Sequence, residues 1–182
     1  DGIFLIISIL LTLIIRTYLA VRLGYAIIEG DELLHWGLSK SIFENGQTYI
    51  RMFPVDRFSS LYSILIAWVH IFRGCELQYI VARAVNSLYM TSTLIPVYLL
   101  ARKVLQDRKF VWIAVIVTAV LPEFVYNTSI LQENILFPIA IWTFYFVHKM
   151  YCSEKIRTRD LIVTAISSFF CYWAKEAGIS IV

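Results

Sequence analysis

The residues best placed to do chemistry in this sequence are acids and bases lying within or beside apolar stretches. Asp31 and Glu32 follow Gly30, Asp56 and Arg57 come shortly after Pro54, and Glu133 stands near the head of an apolar run. Lys175 and Glu176 lie deep in another run, with Lys175 fourteen residues after Leu161. Carboxylates can take up protons, and ammonium or guanidinium groups can hold anions. Charges inside apolar segments are costly and mark functional sites by default. Most also have a plainer reading. Asp31 suits a helix N-cap, Asp56-Arg57 a solvated loop pair, and Glu133 the first turn of a helix, where an acid complements the dipole. Arg16 and Arg83 can snorkel to an interface. Lys175-Glu176 is the deepest pair and the hardest to explain in that way. His35, His70 and His148 are too scattered to form a ligand set. Cys75, Cys152 and Cys171 form no CxxC pair. Asn127-Thr128-Ser129 is a glycosylation-type triplet of a kind common by chance, and no Walker A, GxSxG, HExxH or GxGxxG motif occurs.

The elements that carry these residues follow from composition. Of the 182 residues 59% are hydrophobic and only 16% charged, with a mean hydropathy of +0.72. That is too much apolar surface for an ordinary soluble domain, and it predicts an integral membrane protein. Disordered, collagen-like and disulfide-rich secreted classes are excluded. The chain starts at Asp1 and stops inside an apolar run, and reads as a fragment. Spans are expected over about 3–25, 80–101, 110–126, 130–148 and 161–182. Residues 31–44 read as a surface helix, because Leu34, Leu38 and Ile42 recur at helical spacing and Asn45-Gly46 stops the run.

Sidedness decides the role of 59–73, an apolar run too short to cross a bilayer with ease. Arg102, Lys103, Arg108 and Lys109 fill one short loop, and Lys149, Lys155, Arg157 and Arg159 another. Both loops should therefore be cytoplasmic. The segment 29–58 carries five acids against three bases and reads as external. The chain returns correctly only if 59–73 lies along the outer surface, with Tyr62 and Trp68 at the interface. The expected fold is thus all-α, a single transmembrane module whose first external loop, 29–79, holds two membrane-parallel helices. In that topology the acids and bases of four segments gather near the external face.

The order of these pieces resembles the GT-C superfamily of polytopic glycosyltransferases, in particular its lipid A aminoarabinose transferase and protein O-mannosyltransferase branch. The carrying residues are Arg16, Gly30-Asp31-Glu32, Glu44-Asn45-Gly46, Asp56-Arg57 before Leu61-Tyr62-Ser63-Ile64-Leu65, and Arg83 through Tyr98-Leu99-Leu100-Ala101-Arg102. Ile130-Leu131-Gln132-Glu133-Asn134 before Phe137-Pro138 and Tyr172-Trp173-Ala174-Lys175-Glu176-Ala177-Gly178 complete the set. Each motif is short, but together they cover nearly the whole chain. Two departures stand out: Arg57-Phe58 replaces the family's Lys before Pro, and Glu133-Asn134 replaces the Asp-Pro of some members.

The resemblance implies an inverting transfer of a sugar from a polyprenyl-phosphate carrier to a hydroxyl of a lipid, glycan or protein. The reaction would run at the external face of a multi-pass protein of a bacterial or archaeal plasma membrane, with no nucleic-acid partner. Asp31 matches the catalytic base, and Arg57 and Lys175 match the bases that steady the leaving phosphate. Asp56 and Glu133 match acidic positions that hold Mg²⁺, Mn²⁺ or Ca²⁺ in some members. Glu32, Arg83 and Glu176 are secondary candidates. Two other readings compete: a secondary transporter whose charges line a pathway, and a catalytically silent membrane subunit of the same architecture.

Overall fold

The computed structural model describes residues 2–22, 30–50, 53–54, 59–121, 127–176 and 178. Its first helix, α1 (Gly2–Arg22), buries only Arg16 and Ala20. Ile3, Phe4, Ile7, Leu11 and Ile14 on the same helix are exposed, so apolar side chains cover its outside while a cation is sheltered. Helix α2 (Gly30–Asn45) follows and ends at Gly46, whose φ of 67° suits a residue without Cβ. A two-residue hairpin, β1 (Tyr49–Ile50) with β2 (Phe53–Pro54), is antiparallel with Ile50 opposite Phe53.

The apolar run at 59–73 is helical as α3 (Leu61–Ile66), then tightens into a 3-10 turn over Ala67–Ile71. Gly74, at φ 93°, turns the chain into α4 (Cys75–Ser92). Helix α5 (Leu94–Val104) continues almost directly from it. The break at Thr93 has a local cause: Pro96 cannot donate to Ser92, and its ring crowds that carbonyl. The expected span over 80–101 therefore begins five residues earlier, at Cys75.

Helix α6 (Arg108–Val120) is capped by Asp107, whose carboxylate accepts from the Lys109 backbone N–H at 2.8 Å. Helices α7 (Glu133–Tyr151) and α8 (Thr158–Ala174) complete the described elements. Within the last span, expected over 161–182, α8 ends at Ala174 and Lys175 is extended at φ −155°, while residues 177 and 179–182 lie outside the described residues. Residues 122–126, part of the expected third span, lie outside the described residues.

The architecture is thus mostly helical. Among the described residues two helical stretches, α1 and the nearly continuous α4–α5 (Cys75–Val104), are long and apolar enough to cross a membrane. Helix α7 packs along α8, α1 along α4, and α5 along α6. One core joins Leu61, Tyr62 and Ile66 of α3 to Ala82 of α4, Ile130, Ile135 and Leu136 at the head of α7, and Ala174 of α8.

Side-chain contacts fix the two ends of this bundle. Phe4 meets Trp112 at 5.5 Å between ring centroids, and Arg16 donates to the Ala119 carbonyl at 3.0 Å, so α1 and α6 run in parallel. At the ends where both begin, Lys103 lies 5.2 Å over the Tyr145 ring and Lys149 bonds Asp160 at 2.7 Å. The two basic loops therefore share an end. The opposite end holds α2, α3 and the 3-10 turn.

The buried face of α2 differs from the expected one. Glu32, His35, Leu38 and Ser39 are buried, whereas Leu34 and Ile42 are only half-buried. The helix is rotated so that polar residues face inward, and each of them finds work there.

Candidate functional site

The end opposite the basic loops is built around buried polar side chains supplied by five segments. Glu32, in the first turn of α2, is 1% exposed, and its Oε1 accepts from the Ile130 backbone N–H at 3.1 Å. The carboxylate thus ties α2 to the residues that lead into α7. Three positions further on, Glu133 opens α7 and its carboxylate accepts from the Lys175 ammonium. Lys175 reaches it because α8 stops at Ala174 and the extended backbone turns the side chain away from the helix axis. Gly178 makes that ending compact. A Cβ there would stand 2.2 Å from the Cys171 carbonyl oxygen, so only glycine allows the approach.

A second layer lies beside this pair. The Tyr62 hydroxyl donates to Asn86 Oδ1 at 3.0 Å, and Asn86 Nδ2 donates to the Ser129 carbonyl at 3.0 Å. Asn134 donates to the same Ser129 carbonyl and to Leu131, both at 2.9 Å. Asn127 donates to Ser87 Oγ at 2.9 Å and to the Arg16 carbonyl at 3.4 Å. These bonds stitch α1, α3 and α4 to segment 127–134. Burial pushes the Tyr62 phenol above its usual value, and the neighbouring Glu32 charge adds to the rise. Tyr62 therefore stays a neutral donor. Asn127, the first residue of the glycosylation-type triplet, is 4% exposed with its amide engaged, so modification there would first require this network to open.

Helices α2 and α3 and the 3-10 turn are held together by two histidines. His35 Nδ1 meets Ser63 Oγ at 3.0 Å, and His70 Nε2 meets Ser39 Oγ at 2.9 Å. Trp36 packs between His70, at 4.5 Å, and Tyr79, at 4.4 Å. Burial holds His70 below the ordinary imidazole value. Tyr79 in turn lies under the buried Arg83 guanidinium at 5.6 Å. The histidines thus hold α2 onto α3 and the 3-10 turn.

Apart from Arg83, buried against Tyr79 on α4, the expected site residues fall into three groups. Glu32, Glu133 and Lys175 are brought to one end through Ile130 and the head of α7. Asp31 sits in the first turn of α2 next to Glu32 but is exposed, as is Glu176. The helix starts at Gly30, so Asp31 is already inside its first turn. Asp56 and Arg57 lie outside the described residues. Asn86 was not singled out by sequence, and Tyr62, expected at the interface beside Trp68, is instead fully buried, where its hydroxyl is bonded to Asn86.

A divalent metal would need about six oxygen donors. Among the described residues no group of three or more His, Cys, Asp and Glu side chains gathers. Glu133, the described member of the expected acidic pair, already accepts from Lys175. Asp56, the other member, lies outside the described residues, and no chemical step is routed through a metal here. No family model, curated protein or solved structure matches the chain.

Proposed function

We propose that this chain is a multi-pass membrane module of a GT-C-type glycosyltransferase, which moves a sugar from a polyprenyl-phosphate carrier to an acceptor hydroxyl at the external face. The observation that carries the proposal is the Glu133–Lys175 pair, joined through Ile130 to the acidic first turn of α2. An acid-rich helix start and a cation thereby share one end of the bundle, with both basic loops at the other. The outward apolar faces of α1 and α6, with Ile14 and Ile116 exposed, support a lipid surround.

Each residue then has a role set by its chemistry. Asp31, exposed to incoming acceptor, takes the hydroxyl proton as that oxygen attacks the anomeric carbon. The bond from that carbon to the carrier phosphate breaks on the opposite face, and the departing phosphate gains charge. Lys175, exchanging part of its bond with Glu133 for the phosphate, stabilises that charge together with Arg57. Glu32 acts at one remove: its bond to Ile130 holds the start of α2 against the head of α7 and so fixes Asp31 relative to Lys175.

The test is transfer by the purified full-length protein, offered a panel of polyprenyl-phosphate sugars, with acceptors read by mass spectrometry. A mass increment of one sugar with at least one donor is expected. No transfer from any donor, with donor binding also absent, would refute the reading.

A further inference from the structure

A small cavity of about 180 Å³ opens between α5 and α6, at the end where the basic loops gather. We propose that it seats the phosphate of an anionic membrane phospholipid. The inference needs only that the helices cross a bilayer, and it stands whether or not the chain transfers sugars.

The walls carry the argument. Arg102 from the end of α5 and Arg108 from the start of α6 both line the cavity, together with Tyr98, Leu105, Gln106 and Trp112. Arg102 is oriented within it: its guanidinium lies 5.8 Å over the Tyr98 ring, and Nη1 donates to the Tyr98 hydroxyl at 3.4 Å. A guanidinium has five N–H donors, so one bond to Tyr98 leaves most of its fork for a phosphate. Asp107, next in sequence to Arg108, is engaged elsewhere. Its carboxylate is turned onto the Lys109 backbone N–H at 2.8 Å as a helix cap, and it is not part of the lining.

The other walls fit the rest of a lipid. Leu105 and Trp112 give the cavity an apolar side. The Trp112 ring stands between Phe4, at 5.5 Å, and Tyr98, at 5.4 Å. Aromatic rings of this kind mark the depth at which headgroups meet hydrocarbon. Lys103 holds further positive charge at the same end. A zwitterionic headgroup would bring its own ammonium into this field and be disfavoured, whereas a net-negative phosphodiester would be drawn in. Basic pockets between helices on the cytoplasmic side are where such lipids bind.

The experiment uses full-length protein in neutral detergent, titrated with phosphatidylglycerol or phosphatidylcholine and read by native mass spectrometry. Phosphatidylglycerol should be retained about tenfold more strongly than phosphatidylcholine. R102Q/R108Q should lose that preference, and K155Q/R157Q, which alters the other basic loop, should keep it. Equal retention of the two lipids, or an unchanged preference in R102Q/R108Q, would overturn the proposal. Inorganic phosphate at the same concentration should not displace the lipid. If it does, the ligand is a soluble phosphate and the lipid assignment is wrong. Should R102Q/R108Q not fold, a photoactivatable phosphatidylglycerol on the wild-type protein decides the matter. It should label the peptide spanning 98–112, and labelling confined to other segments would overturn the site.

Discussion

Replacing Lys175 by Gln separates a structural ion pair from a phosphate-binding one, because the two roles carry different magnitudes. The Lys175 and Glu133 side chains are 33% and 20% exposed. A pair this open to solvent contributes no more than about 1 kcal/mol to stability. For a chain of this size that corresponds to a fall in melting temperature of at most about 2–4 °C. A charged hydrogen bond to a desolvated phosphate contributes about 1.5–3 kcal/mol. At about 1.4 kcal/mol per decade, Lys175→Gln should therefore weaken carrier binding roughly 10–150-fold while leaving the melting curve nearly in place. Glu133→Gln sharpens the comparison. It removes the carboxylate that competes for the ammonium, so polyprenyl phosphate should bind as well as or better than in wild type. The assay is titration of the full-length protein with polyprenyl phosphate, alongside thermal melting followed by tryptophan fluorescence. Wild-type affinity in Lys175→Gln would refute the phosphate role. A joint stability loss above about 3 kcal/mol in both variants would make the pair structural, since only a fully buried pair reaches that range.

Two further perturbations probe the framework around the site. Tyr62→Phe deletes the donor to Asn86 Oδ1 between two fully buried residues; it should cost about 1–3 kcal/mol, and an unchanged melting temperature would show that the bond does not form. The His70 ring is held below its ordinary value by burial, so the unfolded chain binds a proton there that the folded chain resists. Its contribution to stability is complete above about pH 6.5, the unfolded imidazole value, and is lost as pH falls through the lower folded value. Amide protection factors in α2, corrected for the intrinsic pH dependence of exchange, should therefore fall on acidification, and His70→Gln should remove that fall.

How much was legible depends on whether the signal is local. Helix α2 was expected over 31–44 and runs Gly30–Asn45, because periodic apolar residues and Asn45-Gly46 act over one or two turns. The start of α4 was missed by five residues. Arg73, Glu76 and Gln78 look like loop, and only the positive φ of Gly74 shows why the helix begins at once. Asp31 drew attention as the candidate base, with a cap as its plainer reading, yet the buried carboxylate is Glu32. A local clue existed: Glu32, His35 and Ser39 recur at i, i+3 and i+7, which puts three polar residues on one inward face. Their partners could not be read in this way. His35 finds Ser63 and His70 finds Ser39 across separations of 28 and 31 residues, and Tyr62 finds Asn86 across 24. Such pairs are decided by how helices dock, and no single helical period encodes them. Lys175 was expected within a span but stands just past the end of α8, where the close approach of Gly178 to Cys171 sets the geometry.

The most direct test of sugar transfer at this end of the molecule is turnover by Asp31→Asn in the full-length protein. Asparagine preserves side-chain size and can still accept a hydrogen bond at a helix start, so fold and donor binding should persist. It cannot take a proton, so transfer should fall about 10²–10⁴-fold, the usual contribution of a positioned general base. Glu32→Gln is the control: it keeps an acceptor for the Ile130 N–H and should leave most of the activity. Near-wild-type transfer by Asp31→Asn, at equal thermal stability, would contradict the assignment of Asp31 as the base.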